Sequence, residues 1–262
     1  MMAEGGRTYT TQLQAGLGLI EETKQLLSLY EPGMSAADLS ANALGSGSFP
    51  MVSARRLRNI IIECFAPRYL KSAAAADLKL LAPVLQSAAL NQLFLLHTAE
   101  ANAILHDFIQ EVYWEHYTGG RSDLSLDDAR SFVTHAVRES KTHKPWSAST
   151  IKHVGSYLIG CCADYGLISK RKSTVRTILP FRIQESTAIY LAYRLHFSGH
   201  GDNAVIGHES WRLFGLEYGD VQDEFRKLAR NGRLIFQSAG DIASTSWKYR
   251  SMKEVADVIA EG

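Results

Sequence analysis

The stretch SASTIKHVGSYLIGCCADYGLISKRKSTVRTILPF, Ser147 to Phe181, decides how the chain is read. Its first half is amphipathic at helical spacing. Ile151, Val154, Leu158, Cys161 or Cys162 and Tyr165 return to one face, while Lys152, His153, Ser156 and Gly160 lie opposite. Gly166 closes that helix, and the β-forming residues around KRKSTVR predict a two-stranded ribbon. A second stretch, GDVQDEFRKLARNGRLIFQSAGDIASTSWKY from Gly219 to Tyr249, repeats the plan. Matched on Gly166 and Gly232, the two are near-equal in length and alike in apolar pattern. A helix ended by glycine and followed at once by a ribbon is the signature of a winged helix. Such a unit offers one helix to a nucleic-acid groove and one ribbon to the backbone beside it.

Outward from these two stretches the pattern is helical. Leu13, Leu17, Ile20, Leu26, Leu27 and Tyr30 predict one helix over Gln12–Tyr30, stopped by Pro32-Gly33. Ser35 caps a short helix that runs into the Gly45–Ser48 loop, and Ser53 caps a third, SARRLRNIIIECF. Helix, short helix, loop and basic helix follow the order of a helix-turn-helix. Residues 73–118, broken by Pro83 and closed by Gly119-Gly120, read as two or three packed helices. Ser125 caps a helix from Leu126 to Ser140, with Asp127 and Asp128 in its favourable first turn. The linker THKPW then leads to Ser147. Further on, Thr187–Phe197 is helical, and Asp202–Phe214 is a shorter helix interrupted by glycine. The second ribbon is expected to pair Leu234–Gln237 with Ser246–Tyr249 across Ala239-Gly240-Asp241. The expected fold is mainly α: a flexible tail over 1–8, a helical region over 9–120 and winged-helix-like units over 121–184 and 185–262.

Charge is distributed unevenly. The 262-residue chain carries a net charge of +1, yet Arg138–Arg182 holds nine Lys/Arg against two acids. Any contact with a polyanion must come from such local asymmetry. In the first unit the candidate DNA contacts are Lys152, His153 and Ser156 on the helix, with Lys170, Arg171, Lys172 and Arg176 on the ribbon. Upstream, Arg55, Arg56 and Arg58 occupy a helix start, where cations oppose the helix dipole unless an anion compensates. In the second unit Arg226, Lys227, Arg230, Lys248 and Arg250 are candidates. Its helix opens on Glu217, Asp220, Asp223 and Glu224, which repel phosphates, and such an edge suits a protein contact better.

Signals for catalysis are thin. His196, His200 and His208 with Asp202 have a spacing that can hold zinc only if all converge, but Gly199 and Gly201 break the helix between them, so loop histidines are the better account. His106-Asp107 is a single dyad. Gly16-x-Gly18 lacks the third glycine of a dinucleotide site, and there is no Walker lysine. Cys64, Cys161 and Cys162 form no CxxC pair and read as free buried thiols of a cytoplasmic protein. No window reaches the roughly 18–20 unbroken apolar residues of a membrane span. No enzyme activity, metal or other cofactor is expected.

The runs LQAGLGLIEETKQLLSLY (13–30), SARRLRNII (53–61), TAIYLAYRLHFSG (187–199), HESWRLFGLEYGDV (208–221) and LARNGRLIFQSAGDIASTSWKYRSMKEV (228–255) resemble the BrxA family of bacteriophage-exclusion (BREX) defence systems. The resemblance spans nearly the whole chain, with LHFSG, FGL and SWKY as its most specific blocks. It implies a small non-catalytic cytoplasmic component encoded beside a methyltransferase, an ATPase and other defence proteins. It also implies helical domains of winged-helix character that bind double-stranded DNA, with other BREX proteins as further partners. The rival expectations are a protein–protein adaptor within the defence complex and an RNA-binding helical protein. Nothing in the sequence fixes an oligomeric state.

Overall fold

Serine caps set the starts of several helices. In the computed structural model, which describes residues 8–171, 173–239 and 242–261, the chain is mainly helical with two small two-stranded sheets. A 3-10 turn over Gln12–Ala15 precedes α1 (Ile20–Leu29), α2 (Ala36–Gly45) and α3 (Ala54–Asn59). Ser35 accepts from the Asp38 N–H while the Asp38 carboxylate accepts from the Ser35 N–H, a reciprocal pair that satisfies two otherwise orphaned donors. The Ser35 hydroxyl, donating to that carboxylate at 2.6 Å, and the Ser35 N–H hold the Asp38 carboxyl below its usual range. Ser53 caps α3 through the Arg56 N–H. After Asn59 the helix widens into π turns over Ile60–Leu70, a stretch that contains Pro67, which has no N–H to donate.

Next come α4 (Ala74–Leu81), α5 (Ser87–Ala101), α6 (Ala103–Phe108), further π turns over Ile109–Tyr113, and α7 (Trp114–Thr118). Strand β1 (Asp123–Ser125) leads through the Ser125–Asp128 capping box into α8 (Leu126–Arg138), and Ser147 caps α9 (Ala148–Asp164). The remaining elements are β2 (Val175–Thr177), α10 (Glu185–Phe197), α11 (Asp202–Ile206), a 3-10 turn over Glu209–Phe214, α12 (Tyr218–Arg230), β3 (Leu234–Ala239), β4 (Ile242–Trp247) and α13 (Met252–Glu261).

The chain divides into two compact units. The first is Met1–Ala76 with Phe94–Phe181, and the second is Asp77–Leu93 with Arg182–Gly262. The first unit is built around buried Phe65, Tyr69, Phe94, Phe108, Tyr113, Leu158, Cys161 and Cys162. The three cysteines are free and buried, and burial pushes the Cys161 thiol up to about 12. The core of the second gathers Tyr190, Tyr193, Trp211, Phe214, Phe225 and Leu228.

Two expectations need correction. Gln12–Tyr30 is not one helix: residues 16–19 break it, with Leu19 at φ +48°. Tertiary bonds replace the helical ones there. The buried Arg68 guanidinium donates to Gly16 O at 2.7 Å and Leu17 O at 2.9 Å, and Asp164 accepts from the Gly18 N–H at 2.9 Å. A side chain is excluded at Gly18, where a Cβ would lie 2.6 Å from that of Asp164. The second ribbon pairs Leu234 with Trp247 and Ala239 with Ile242, two residues out of the expected register. The glycine interruption expected within Asp202–Phe214 falls at Gly207, between α11 and the 3-10 turn. The tail over 1–7, Lys172 and the Gly240-Asp241 tip lie outside the described residues.

Candidate nucleic-acid interface

In the first unit α8 packs directly on α9, and glycine permits the approach. A Cβ at Gly155 would lie 3.2 Å from Arg130 Cγ and 3.4 Å from its backbone N. After α9 the chain turns at Gly166, φ +81°, a conformation that disfavours side chains. It then returns as a short ribbon: Ile168 bridges Ile178, Ser169 N–H donates to Thr177 O, and Leu179 N–H donates to Leu167 O. The other edge of β2 pairs antiparallel with β1, setting Leu124 opposite Arg176. The order is therefore strand, helix, helix, ribbon, with the first strand closing the ribbon's edge. Sequence pattern does not announce β1. At three residues it is too short to show alternation.

Along α9, Val154, Leu158, Ile159, Cys161 and Cys162 are buried, while Lys152, His153 and Ser156 are exposed. Ser156 Oγ turns back to Lys152 O at 3.0 Å. Gly160 does not share the open face expected for it. A Cβ there would come within 2.7 Å of Leu17 Cδ1, because the N-terminal strap, residues 9–19, crosses this end of the helix. The strap leaves only the N-terminal half of α9 open.

On the ribbon Lys170 and Arg171 are exposed, and Arg176 is half-buried with Nε 3.4 Å from Ser173 O. Among the described residues, Lys152, Lys170 and Arg171 form no ion pair, and neither do the exposed Arg55 and Arg58 of α3. Arg56 is committed to the strap, donating to Ala15 O at 2.5 Å.

The second unit spends its cations internally. Arg226 reaches Asp223 at 2.5 Å, and also Gln222 and Ser238. Lys227 pairs with Glu224, and Lys248 Nζ donates to Gly232 O at 2.9 Å. Arg230 and Arg250 remain exposed. Arg230 shares a polar cleft with Arg182, Glu185 and Asn231. Here side chains stand where β1 stands in the first unit. Asn203 Oδ1 accepts from the Ala243 N–H, and the Asp202 carboxylate accepts from the Thr245 N–H and the Trp247 indole. Of the three histidines weighed as zinc ligands, His196 stacks on Trp247 at 4.3 Å between ring centroids. His208 Nδ1 accepts from the Ser210 N–H. No group of three ligating side chains converges among the described residues.

Fold and surface together define a mainly helical protein whose first unit exposes cations on α9 and on the ribbon that follows it. The chain belongs to the BrxA family, whose model matches residues 7–194, and this ties it to a BREX-associated role in phage defence. The match stops at Arg194, so the runs over 208–221 and 228–255 lie beyond it. A crystal structure of an uncharacterized protein from Magnetospirillum magneticum has a similar fold, with a TM-score of 0.61 at 14% identity, over 79% of this chain and 97% of that one. At that identity the likeness concerns fold alone. No curated protein matches the chain. No helix is long and apolar enough to cross a membrane among the described residues.

Proposed function

We propose that the segment of the first unit from β1 through α8, α9 and the ribbon is a winged helix that binds double-stranded DNA, mainly through phosphates, as a non-catalytic component of a BREX system. One observation carries the reading. Among the described residues Lys152, Lys170 and Arg171 are exposed without carboxylate partners, whereas α12 in the second unit neutralises Arg226 and Lys227 with its own acids. Unpaired surface cations release condensed counterions when they meet phosphate, and that release drives association. The open half of α9 offers no Arg, Asn or Gln for bidentate base recognition, so specificity is expected to be weak. The Cys161 and Cys162 thiols are buried and held protonated, which makes them poor nucleophiles.

The second unit suits a protein contact instead. Its ribbon from Leu234 to Trp247 holds no Lys or Arg. Ile235 and Ile242 stand 63% and 72% exposed. A fluorescence-anisotropy titration with duplex DNA, single-stranded DNA and RNA at roughly 50 and 200 mM salt tests both assignments. The expected result is duplex preference with affinity falling by orders of magnitude between those salts if several phosphates are contacted. Preference for RNA, or salt-insensitive binding, would contradict it.

A further inference from the structure

The linker THKPW, which the winged-helix reading leaves unused, forms one wall of a cavity. Tyr9 fixes the opposite wall. Its N–H donates to Lys141 O at 2.7 Å, it bridges Thr142 in parallel, and its phenol donates to Asp107 at 2.6 Å. Between strap and linker opens a cleft of about 560 Å³ that ends at Ser147 and Thr150 of α9. That volume is within the usual range for a small-molecule site.

The lining is chemically one-sided. It includes the Lys144 ammonium, the His143 imidazole, the Trp146 indole, the Gln14 carboxamide and the Thr10 and Thr11 hydroxyls, and it contains no Asp or Glu. Lys144 and His143 are exposed and form no ion pair among the described residues. Trp146 is half-buried and has neither ring nor hydrogen-bond partner among them. A simple anion has no use for the indole face, and an apolar ligand has none for the two basic groups. A ligand that uses both carries an anionic group and a flat ring.

We propose that this cleft binds a nucleoside 5′-phosphate, with the base stacked on Trp146 and the phosphate held by Lys144 and His143. Gln14 then faces the base edge with a donor and an acceptor. The nucleotide has two sources, a free mononucleotide or the 5′-phosphorylated end of a DNA strand. The proposal does not require duplex binding by the ribbon.

The test is isothermal titration of the full chain with adenosine 5′-monophosphate, adenosine and inorganic phosphate. A second arm uses short single strands with a 5′-phosphate or a 5′-hydroxyl. Millimolar or tighter binding of the monophosphate is expected, at least about tenfold tighter than adenosine or phosphate alone. Tighter binding of the phosphorylated strand alone assigns the strand end as the source, and binding of the mononucleotide alone assigns the free nucleotide. Lys144→Ala with His143→Ala should weaken either interaction about tenfold or more. Trp146→Ala should do the same, and Trp146→Phe, which keeps a stacking ring, should retain most of it; melting curves confirm the fold of each variant. Reversal of Lys170 and Arg171 to Glu should leave nucleotide binding unchanged, which separates this site from the duplex reading. Absence of binding in both arms at about 5 mM overturns the proposal. So does equal affinity for 5′-phosphate and 5′-hydroxyl strands together with no mononucleotide binding, and so does affinity unmoved by the Lys144/His143 pair.

Discussion

Arg68 shows how one buried cation organises a segment that its own sequence describes badly. Its guanidinium serves carbonyls, not a carboxylate, and those carbonyls belong to the break at residues 16–19. Replacement by Met keeps the volume and orphans both acceptors, at roughly 1–3 kcal/mol each. Arg68→Met should therefore lower stability by several kcal/mol in urea unfolding, with the strap the first segment to lose amide protection. A change below about 0.5 kcal/mol would show the strap to be held by other means. Asp77 is the other residue with a measurable consequence. Burial pushes its carboxyl up to about 6 against the opposing effect of Arg194. The folded state thus prefers the protonated acid. Its contribution is fully present below the ordinary carboxylate range and is lost as pH rises through about 6. Asp77→Asn should match the wild-type melting temperature near pH 4 and exceed it near pH 8. A variant less stable at pH 8 would reverse the sign.

At the scale of elements, Gly155 sets the distance between α8 and α9, and Gly155→Val should be felt along the whole pair. Over-packing at such a close approach costs about 1–3 kcal/mol, and displacing α9 relative to the ribbon should also weaken DNA binding in the same preparation. Loss of stability with intact binding would show that the two helices need not be held in register. The caps at Ser35, Ser53 and Ser125 were legible because each is a local choice, a hydroxyl accepting from an N–H of its own next turn. The strap was not legible. Leu13, Leu17 and Ile20 keep helical spacing, and only distant Arg68 and Asp164 reveal that the backbone groups of 16–18 are bonded elsewhere. The ribbon register failed for a different reason. A slip of two residues keeps every side chain on the same face, so alternation cannot detect it. The observed pairing of Ala239 with Ile242 differs from the expected one by such a slip. In the candidate site, the exposure of Lys152, His153, Lys170 and Arg171 followed from periodicity and charge. The commitment of Arg56, Arg226, Lys227 and Lys248 to local partners did not, since pairing depends on geometry that spacing alone leaves open.

Across the whole molecule the two units differ in electrostatics: the second pairs Arg226 and Lys227 with its own acids, and the first leaves Lys170 and Arg171 without an ion pair among the described residues. The family ties the chain to phage defence, and the proposed division assigns DNA to the first unit and protein to the second. The most direct measurement is the salt dependence of duplex affinity for the wild type, for Lys170→Glu/Arg171→Glu/Lys172→Glu and for Arg230→Glu/Arg250→Glu. Lys170, Arg171, Arg230 and Arg250 are exposed, and surface changes usually cost little, so melting temperatures should stay close to wild type. Every phosphate that a variant no longer neutralises takes about 0.9 off the slope of log affinity against log salt. The ribbon variant should therefore flatten by roughly 2–3 units, and the second-unit variant by distinctly less per charge reversed. A second-unit variant that flattens more than the ribbon variant, or a ribbon variant whose slope is unchanged, would contradict the assignment of DNA to the first unit.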